Sequence, residues 1–168
     1  MSSLRILTFI ALIALAFAVS LTSDALAGEK FKTRTVYYTT KSEAIEVGDE
    51  EGHRLSVAEN MGIVSNMEGK TFGDGWAVRA VSLYDWNTKT ATGSGRSYME
   101  ATDRDGDKCY YQTEMKREKG KPYSEGKCTI LRGTGKYEGI KGGANWKGYG
   151  VAPKQSYLDQ EWDVELPK

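Results

Sequence analysis

The sequence predicts a single all-β domain that closes into an antiparallel meander barrel of about eight strands. Helix signals are almost absent after residue 27, and short stretches of alternating apolar and polar residues recur roughly every ten positions, separated by turn residues. Turns this short join antiparallel neighbours. A long meander removes its open edges by closing on itself, so a barrel is expected.

Residues 1–27 are predicted to be a secretory signal peptide. A single cation, Arg5, opens an almost unbroken apolar run over residues 4–21, and Ala25 and Ala27 supply the small residues that precede a cleavage site. An uncleaved anchor is the alternative, because the run is just long enough to span a bilayer. Cleavage after Ala27 leaves residues 28–168 as one exported domain, periplasmic or secreted, with no membrane attachment.

Strands are predicted wherever alternation and β-forming residues coincide between turn signals. The last predicted strand shows this best, because its apolar residues share one face and its acidic residues share the other. The predicted strands cover residues 31–40, 43–47, 53–60, 62–66, 76–86, 91–102, 108–116, 123–131, 144–150 and 157–166.

The charge balance argues against nucleic acid as a partner. The 23 basic and 23 acidic residues cancel, and the lysines between residues 116 and 127 alternate with glutamates. Nucleic-acid binding requires a concentrated basic surface, which this pattern does not provide.

Cys109 and Cys128 are expected to form a disulfide. They lie at equal distances from a hairpin turn predicted near residues 118–119, so they would face each other across the hairpin, and an exported protein meets an oxidising environment. Two inert thiols are the alternative. Two cysteines and one histidine cannot make a structural zinc site, and neither a metal nor a cofactor is expected.

The acidic segment 103–107 has carboxylates at alternate positions, as in a calcium-binding loop. Lys108 stands where the sharp-turn glycine of such a loop belongs, and Asp105-Gly106 is a strong hairpin-turn pair. A plain turn is therefore predicted.

The glycine-rich segment 133–143 lacks the Gly-Lys-Ser/Thr ending and the following helix of a phosphate-binding loop. Tyr137 and Ile140 within it are predicted to plug one end of the barrel. The segment resembles the glycine motif of the allene oxide cyclase-like barrels, relatives of the dirigent proteins, and residues 47–59 resemble the stretch that leads into a central strand there. The overall layout is similar to that of exported bacterial proteins placed with this superfamily.

That resemblance implies an eight-stranded antiparallel barrel with a largely apolar lumen and a homotrimeric assembly. In the family, the plant cyclase holds a fatty epoxide and uses a glutamate and a water, whereas dirigent proteins orient phenolic radicals. No catalytic residue of the cyclase maps onto this chain by motif.

The lumen is predicted from the strand at 53–60, whose more apolar face carries His53 and Glu59 at its two ends. Glu59 would be a lumen acid or base with a raised pKa; the alternative is a rim position beside a cation. The expected lumen residues are His53, Leu55, Val57, Tyr84, Tyr98 and Trp146.

The leading functional hypothesis is a barrel that binds a small apolar or aromatic molecule, a phenol for example, without catalysis. One alternative is an isomerase or cyclase that uses Glu59. Another is a ligand-free envelope or secreted interaction module.

Overall fold

The computed structural model describes residues 28–167; the predicted signal peptide lies outside them. Within this range, no helix is long and apolar enough to cross a membrane. The chain forms a short 3-10 helix (Gly135–Tyr137) and eight strands: β1 (Glu29–Glu46), β2 (His53–Asn66), β3 (Ala77–Asn87), β4 (Thr92–Thr102), β5 (Lys108–Arg117), β6 (Ser124–Gly133), β7 (Lys141–Ala152) and β8 (Gln155–Glu165).

The strands form a closed antiparallel barrel in chain order, with β1 paired to both β2 and β8. The predicted fold class is confirmed. Two pairs of predicted strands are single long strands: β1 continues through a register shift between Thr39 and Lys41, and β2 continues through Gly62, which pairs with Tyr37. A local irregularity of this kind bends a long strand without ending it.

One end of the barrel is closed by aromatic side chains. Phe72 and Trp76, from the β2–β3 loop, contact each other with ring centroids 4.9 Å apart, and Phe72 stacks on Phe31 at 4.5 Å. Tyr137, after β6, packs on Trp76 at 4.9 Å, and Ile140 beside it is buried. The predicted plug by Tyr137 and Ile140 is confirmed.

A layer of polar side chains crosses the barrel above this plug. The side-chain oxygen of the buried Gln160 accepts hydrogen bonds from Thr33 Oγ1 (3.3 Å) and Thr35 Oγ1 (2.7 Å), and its Nε2 donates to Cys128 Sγ (3.7 Å). Trp162 Nε1 donates to Thr33 Oγ1 (3.0 Å). Because these groups satisfy one another, the layer forms a dry floor for the other half of the barrel.

The predicted disulfide is wrong: Cys109 and Cys128 are free, buried thiols. Cys128 on β6 lies opposite Thr113 of β5, whereas Cys109 of β5 lies opposite Gly133. Cys109 is therefore four residues, about 13 Å along β5, away from the position that faces Cys128. Lys116 pairs with Glu125, which centres the hairpin two residues later than predicted. A bulge at Tyr110–Tyr111 shifts the register once more.

The acidic segment 103–107 forms the turn between β4 and β5. Asp103 Oδ1 accepts the backbone N–H of Asp105 and of Asp107, at 2.9 and 3.0 Å. The ammonium of Lys136 lies 2.7 Å from Asp103 Oδ2 and 2.6 Å from Asp105 Oδ2. The ammonium of Lys136 thus lies between the carboxylates that would bind calcium in a calcium-binding loop, which agrees with the predicted plain turn.

Candidate functional site

The second half of the barrel contains a cavity of about 420 Å³. It opens at the end where the β1–β2, β3–β4, β5–β6 and β7–β8 turns lie, opposite the aromatic plug. The lining surface is largely apolar, as the family resemblance implies, and small hydroxyl side chains lie among its aromatic and thioether groups. The hydroxyl side chains include Ser42, Ser56, Ser82, Ser97, Thr113 and Ser124.

Four aromatic side chains lie on the cavity wall, and each faces a glycine on the neighbouring strand. The glycines leave space for the rings, because an added Cβ at Gly95 would lie 2.6 Å from Tyr84, and one at Gly126 would lie 2.8 Å from Trp146. The rings can therefore lie close to the wall. The four pairs are Tyr37 with Gly62, Tyr84 with Gly95, Trp86 with Gly93 and Trp146 with Gly126.

A row of hydrogen-bonded polar side chains runs across β1, β2, β3 and β4. Thr39 Oγ1 donates to Asn60 Oδ1 (2.7 Å), and Asn60 Nδ2 donates to Ser82 Oγ (3.2 Å). Ser97 Oγ donates to the same Ser82 oxygen (2.7 Å). This row holds Ser82 and Ser97 in place, so that side of the cavity has a defined shape.

Tyr37 lies at the inner end of the cavity. Its hydroxyl donates to Met99 Sδ at 3.4 Å, and burial raises the pKa of the Tyr37 phenol far above its ordinary value. The phenol is therefore protonated at neutral pH and acts as a donor.

Two buried side-chain N–H groups have no hydrogen-bond partner within residues 28–167: Trp146 Nε1 and Arg117 Nε. Trp146 lines the cavity and is only 6% exposed. Most buried donors in folded proteins are paired, and an unpaired one costs about 1–3 kcal/mol. Trp146 therefore presents its ring, and not its N–H, to the cavity.

The cavity mouth carries charge. Arg54 lines it and donates from Nε to Glu46 Oε1 at 2.5 Å. Arg117, at the end of β5, is not among the residues that line the cavity; its guanidinium carbon lies 5.6 Å from the centre of the Trp86 ring. Of these two cations, Arg54 has a carboxylate partner.

His53 lies at the rim, and it does not line the cavity as predicted. Its Nδ1 is 2.6 Å from Asp49 Oδ1 and its Nε2 is 2.9 Å from Asp85 Oδ1. The hydrogen bonds with Asp49 and Asp85 raise the pKa of His53. The imidazole joins the β1–β2 loop to β3, which is a structural contact at the edge of the site.

The predicted inward face of β2 is wrong, since Leu55 and Val57 are 51% and 47% exposed and lie on the outer wall. Arg54, Ser56 and Asn60 point into the lumen instead. The physical reason is that the short side chains of Ser56 and Ala58 leave space inside the barrel for the rings of other strands, whereas Arg54 lies at the open end.

Glu59 belongs to the same outer face, so the lumen position is wrong and the alternative, a carboxylate beside a cation, is the one observed. Arg79 Nε donates to Glu59 Oε1 (2.7 Å), and Lys41 Nζ lies 3.5 Å from its other oxygen. The hydrogen bond from Arg79 and the charge of Lys41 lower the pKa of Glu59, the opposite of the shift expected for a lumen acid.

Of the remaining predicted lumen residues, Tyr84 and Trp146 lie on the cavity wall, whereas Tyr98 is 51% exposed on the outer wall. Tyr98 pairs with Val81 on β3 and belongs to a broad exposed apolar surface over β1 to β4, called here the outer apolar face. This face comprises Val36, Leu55, Val57, Ile63, Leu83 and Tyr98.

Sequence reasoning missed the serines, Met99, Met115 and Arg54 as lining residues. A usable signal was present in the glycines. Gly93, Gly95 and Gly126 occupy alternate, inward positions of β4 and β6, and glycines at such positions mark where a ring from the next strand lies.

No protein-family model matches the chain, and no curated protein matches it in sequence. Its structure is similar to that of the pterocarpan synthase dirigent protein PsPTS1 (TM-score 0.51, 9% identity, covering 84% of this chain and 98% of that chain). It is similar to the pterocarpan synthase dirigent protein GePTS1 as well (TM-score 0.50, 10% identity, 84% and 91%). A pyocyanin demethylase matches at a TM-score of 0.44 and 12% identity, over 80% of this chain and 99% of that one. The likeness to the two dirigent proteins concerns the fold alone, a barrel of the same kind.

Proposed function

We propose that this barrel binds a small, largely aromatic molecule in its cavity and does not change it chemically. The observation that carries the proposal is the open cavity of about 420 Å³ with the rings of Tyr84, Trp86 and Trp146 on its wall. Small-molecule sites in proteins commonly have 300–1,000 Å³ and combine apolar walls with a few placed polar groups.

The wall suits a flat, partly polar molecule. Tyr84, Trp86 and Trp146 present ring surfaces, and the flexible thioethers of Met99 and Met115 can adapt to different shapes. The two dirigent neighbours are named as pterocarpan synthases, which agrees with a small-molecule site.

The ionisable groups on the wall favour binding over catalysis. Among the described residues that line the cavity, these groups are Tyr37, Tyr84 and Arg54. The raised pKa of Tyr37 keeps its proton in place, and a guanidinium stays protonated at all working pH values. A general base needs a pKa near the operating pH, which neither Tyr37 nor Arg54 has. A cyclase that uses Glu59 is not retained, because that carboxylate lies on the outer wall.

A fluorescent probe tests the proposal. N-phenyl-1-naphthylamine, a neutral aromatic dye that brightens in apolar surroundings, should bind the purified domain. Ser56→Trp places a large ring in the cavity and should weaken binding at least tenfold. The matched control is Ser65→Trp, the same change on the exposed side of the same strand, which should leave binding unchanged. Equal binding by both variants would place the dye elsewhere and contradict the proposal.

The natural ligand can be sought directly. Protein purified under native conditions from its own host should carry a bound small molecule in native mass spectrometry, and Ser56→Trp should lose it.

We further propose that the chain is exported, with cleavage after Ala27, and that it acts in the periplasm or outside the cell. The N-terminal motif at residues 4–27 supports this. Expression of the full chain in a bacterium should yield a protein whose intact mass corresponds to residues 28–168. Retention of residues 1–27 in membrane fractions would contradict it and favour the anchor.

We propose also that copies of the chain associate through the outer apolar face as a homotrimer, the assembly that the family resemblance implies. Exposed apolar patches of this extent commonly mark an interface. Light scattering should give a molar mass of three chains for the wild-type protein and of one chain for Leu55→Lys. A monomeric wild-type protein would overturn this assignment.

A further inference from the structure

We infer that Asn60 is the residue that recognises the molecule bound in the cavity, and that this molecule carries a cyclic amide, an N–H beside a C=O, on a planar ring. This inference deepens the proposed function and rests on it. It names a ligand class, the neutral aromatic lactams, and the side chain that selects them.

Asn60 lies deep in the cavity on the inward face of β2. It lines the cavity and is only partly buried, so its side chain is accessible from the lumen. Its partners in the sheet are Thr39 on β1 and Ala80 on β3. Tyr37, at the inner end of the cavity, pairs with Gly62, so Asn60 lies two residues, roughly 7 Å, nearer the mouth.

Two hydroxyl groups fix the plane of the Asn60 amide. Thr39 Oγ1 donates to Asn60 Oδ1 at 2.7 Å, and Asn60 Nδ2 donates to Ser82 Oγ at 3.2 Å. Because β1 and β3 flank β2 on opposite sides, these two contacts hold the two lateral positions of the amide. The Ser82 oxygen is itself held by Ser97 Oγ at 2.7 Å, so the amide cannot turn without breaking this row.

The amide keeps one acceptor and one donor for a ligand. A primary amide has two oxygen lone pairs and two N–H groups, and the contacts with Thr39 and Ser82 use one of each within residues 28–167. The remaining lone pair and N–H lie side by side at the end of the side chain that faces the lumen. Both partners are hydroxyls, which donate or accept, so the same pair remains in either orientation of the amide.

A cyclic amide is the chemical group that matches this pair. Its N–H and C=O have the same spacing in the reverse order, so it forms two parallel hydrogen bonds with Asn60. A phenol meets both positions with one atom, so the two bonds cannot both be linear. A carboxylate offers two acceptors, one of which faces the amide oxygen and is repelled by it.

The rest of the cavity suits a neutral ring attached to that amide. β6 lies opposite β2 in the eight-stranded barrel, and there the Trp146 ring lies beside Gly126. The Met115 thioether adds an adaptable apolar contact. Among the described residues that line the cavity, Arg54 is the one that is charged at neutral pH, and Glu46 neutralises it. A neutral ligand is therefore favoured over an ion.

The inference is tested with 2-quinolone and 1-methyl-2-quinolone, because the methyl group replaces the lactam N–H and leaves the rings unchanged. Displacement of N-phenyl-1-naphthylamine from the wild-type domain measures both affinities. 2-Quinolone should bind at least tenfold more tightly, a difference of about 1.4 kcal/mol. Asn60→Leu has a similar volume and no hydrogen-bonding group, so it should abolish this preference and leave the affinity for the methylated compound unchanged. A preference that persists in Asn60→Leu would come from the size of the methyl group and would overturn the inference.

NMR of the wild-type domain tests the same contact without any substitution. One side-chain N–H signal of Asn60 should move downfield when 2-quinolone saturates the cavity, since a hydrogen bond to a carbonyl deshields the proton. An unmoved signal at saturation would contradict the contact.

The matched control is Asn145→Leu, the same change on the exposed side of β7, which should preserve the preference. Equal affinity of the wild-type domain for the two compounds would overturn the inference and leave the proposed binding function intact. Binding of the dye alone, with neither compound able to displace it, would do the same. Dye binding that Ser56→Trp does not weaken would overturn the proposed function and this inference with it.

Discussion

The ring of Tyr84 lies against Gly95, its direct partner on the neighbouring strand. A Cβ at Gly95 would stand 2.6 Å from Tyr84 Cδ1 and 2.8 Å from the carbonyl oxygen of Leu83, both closer than real side chains approach. The glycine therefore lets the ring lie along the wall. The width of the cavity depends on this contact and its three equivalents.

Gly95→Ala should narrow the cavity and destabilise the domain. The added methyl group pushes the Tyr84 ring away from the wall, and overpacking of this kind costs about 1–3 kcal/mol. Urea unfolding measures the stability, and the neutral dye measures the remaining space. Gly150→Ala is the control, because a Cβ at Gly150 meets no atom within 4 Å. Identical stability and dye affinity in the two variants would show that Tyr84 can move at no cost.

The two cysteines should remain unreactive in the native protein. Burial raises the pKa of the Cys109 and Cys128 thiols to about 12 each, so at about pH 8 only roughly one in ten thousand is a thiolate. Iodoacetamide should add no mass to the folded domain within hours and two labels once urea unfolds it, without any reductant. Rapid labelling of the folded protein would contradict the burial of the thiols. An intact mass lower by two hydrogen atoms, as for a disulfide, would contradict the register of β5 and β6.

The pKa of His53 should lie above 6.5, since the hydrogen bonds with Asp49 and then Asp85 favour the charged imidazole. It is the only histidine, so one imidazole signal can be followed by NMR during a pH titration. A pKa of His53 that is higher in the folded state than in the unfolded state stabilises the fold. This contribution is fully present below the pKa of the unfolded state, about 6.5, and is lost as the pH rises through the pKa of the folded state. His53→Gln should thus destabilise more at about pH 5.5 than at about pH 9. Asp85→Asn should lower the His53 pKa, and an unchanged value there would remove Asp85 from the explanation.

Lys136→Met should destabilise the domain by about 1–3 kcal/mol near neutral pH, because it leaves the Asp103 carboxylate, 4% exposed, without its cation. Burial alone would raise the pKa of Asp103, but the hydrogen bonds from Lys136 and Tyr137 hold it below its usual range. A lowered pKa adds stability above the unfolded pKa that is lost as the pH falls through the folded value. The destabilisation caused by Lys136→Met should therefore decrease at acidic pH. Lys127→Met, on the exposed face of β6, is the control, and an equal loss there would contradict a specific role for Lys136.

Much of the barrel could be predicted because its signals are local. Alternation, short turns and the glycine-rich segment 133–143 predicted an antiparallel closed meander, and Tyr137 and Ile140 were correctly placed as a plug. The site was predicted less well. Tyr84 and Trp146 line the cavity, but the serine wall and the charged mouth carry no local signal, because a serine or an arginine in a strand reads equally well as solvent-exposed.

The sequence by itself determined the all-β class and the antiparallel order of the strands, since hydrophobic period and turn residues act over a few positions. It divided β2 into two faces as well, one with Leu55 and Val57 and the other with Ser56 and Asn60. Only the tertiary structure decided which face turned inward, because that choice depends on the volume left by rings on other strands. The separation of Cys109 and Cys128 was decided by the tertiary structure as well. The hairpin turn is centred two residues later than predicted and β5 contains a bulge, so the two cysteines lie four residues apart along β5. Register depends on how two strands pair, and neither strand determines it alone.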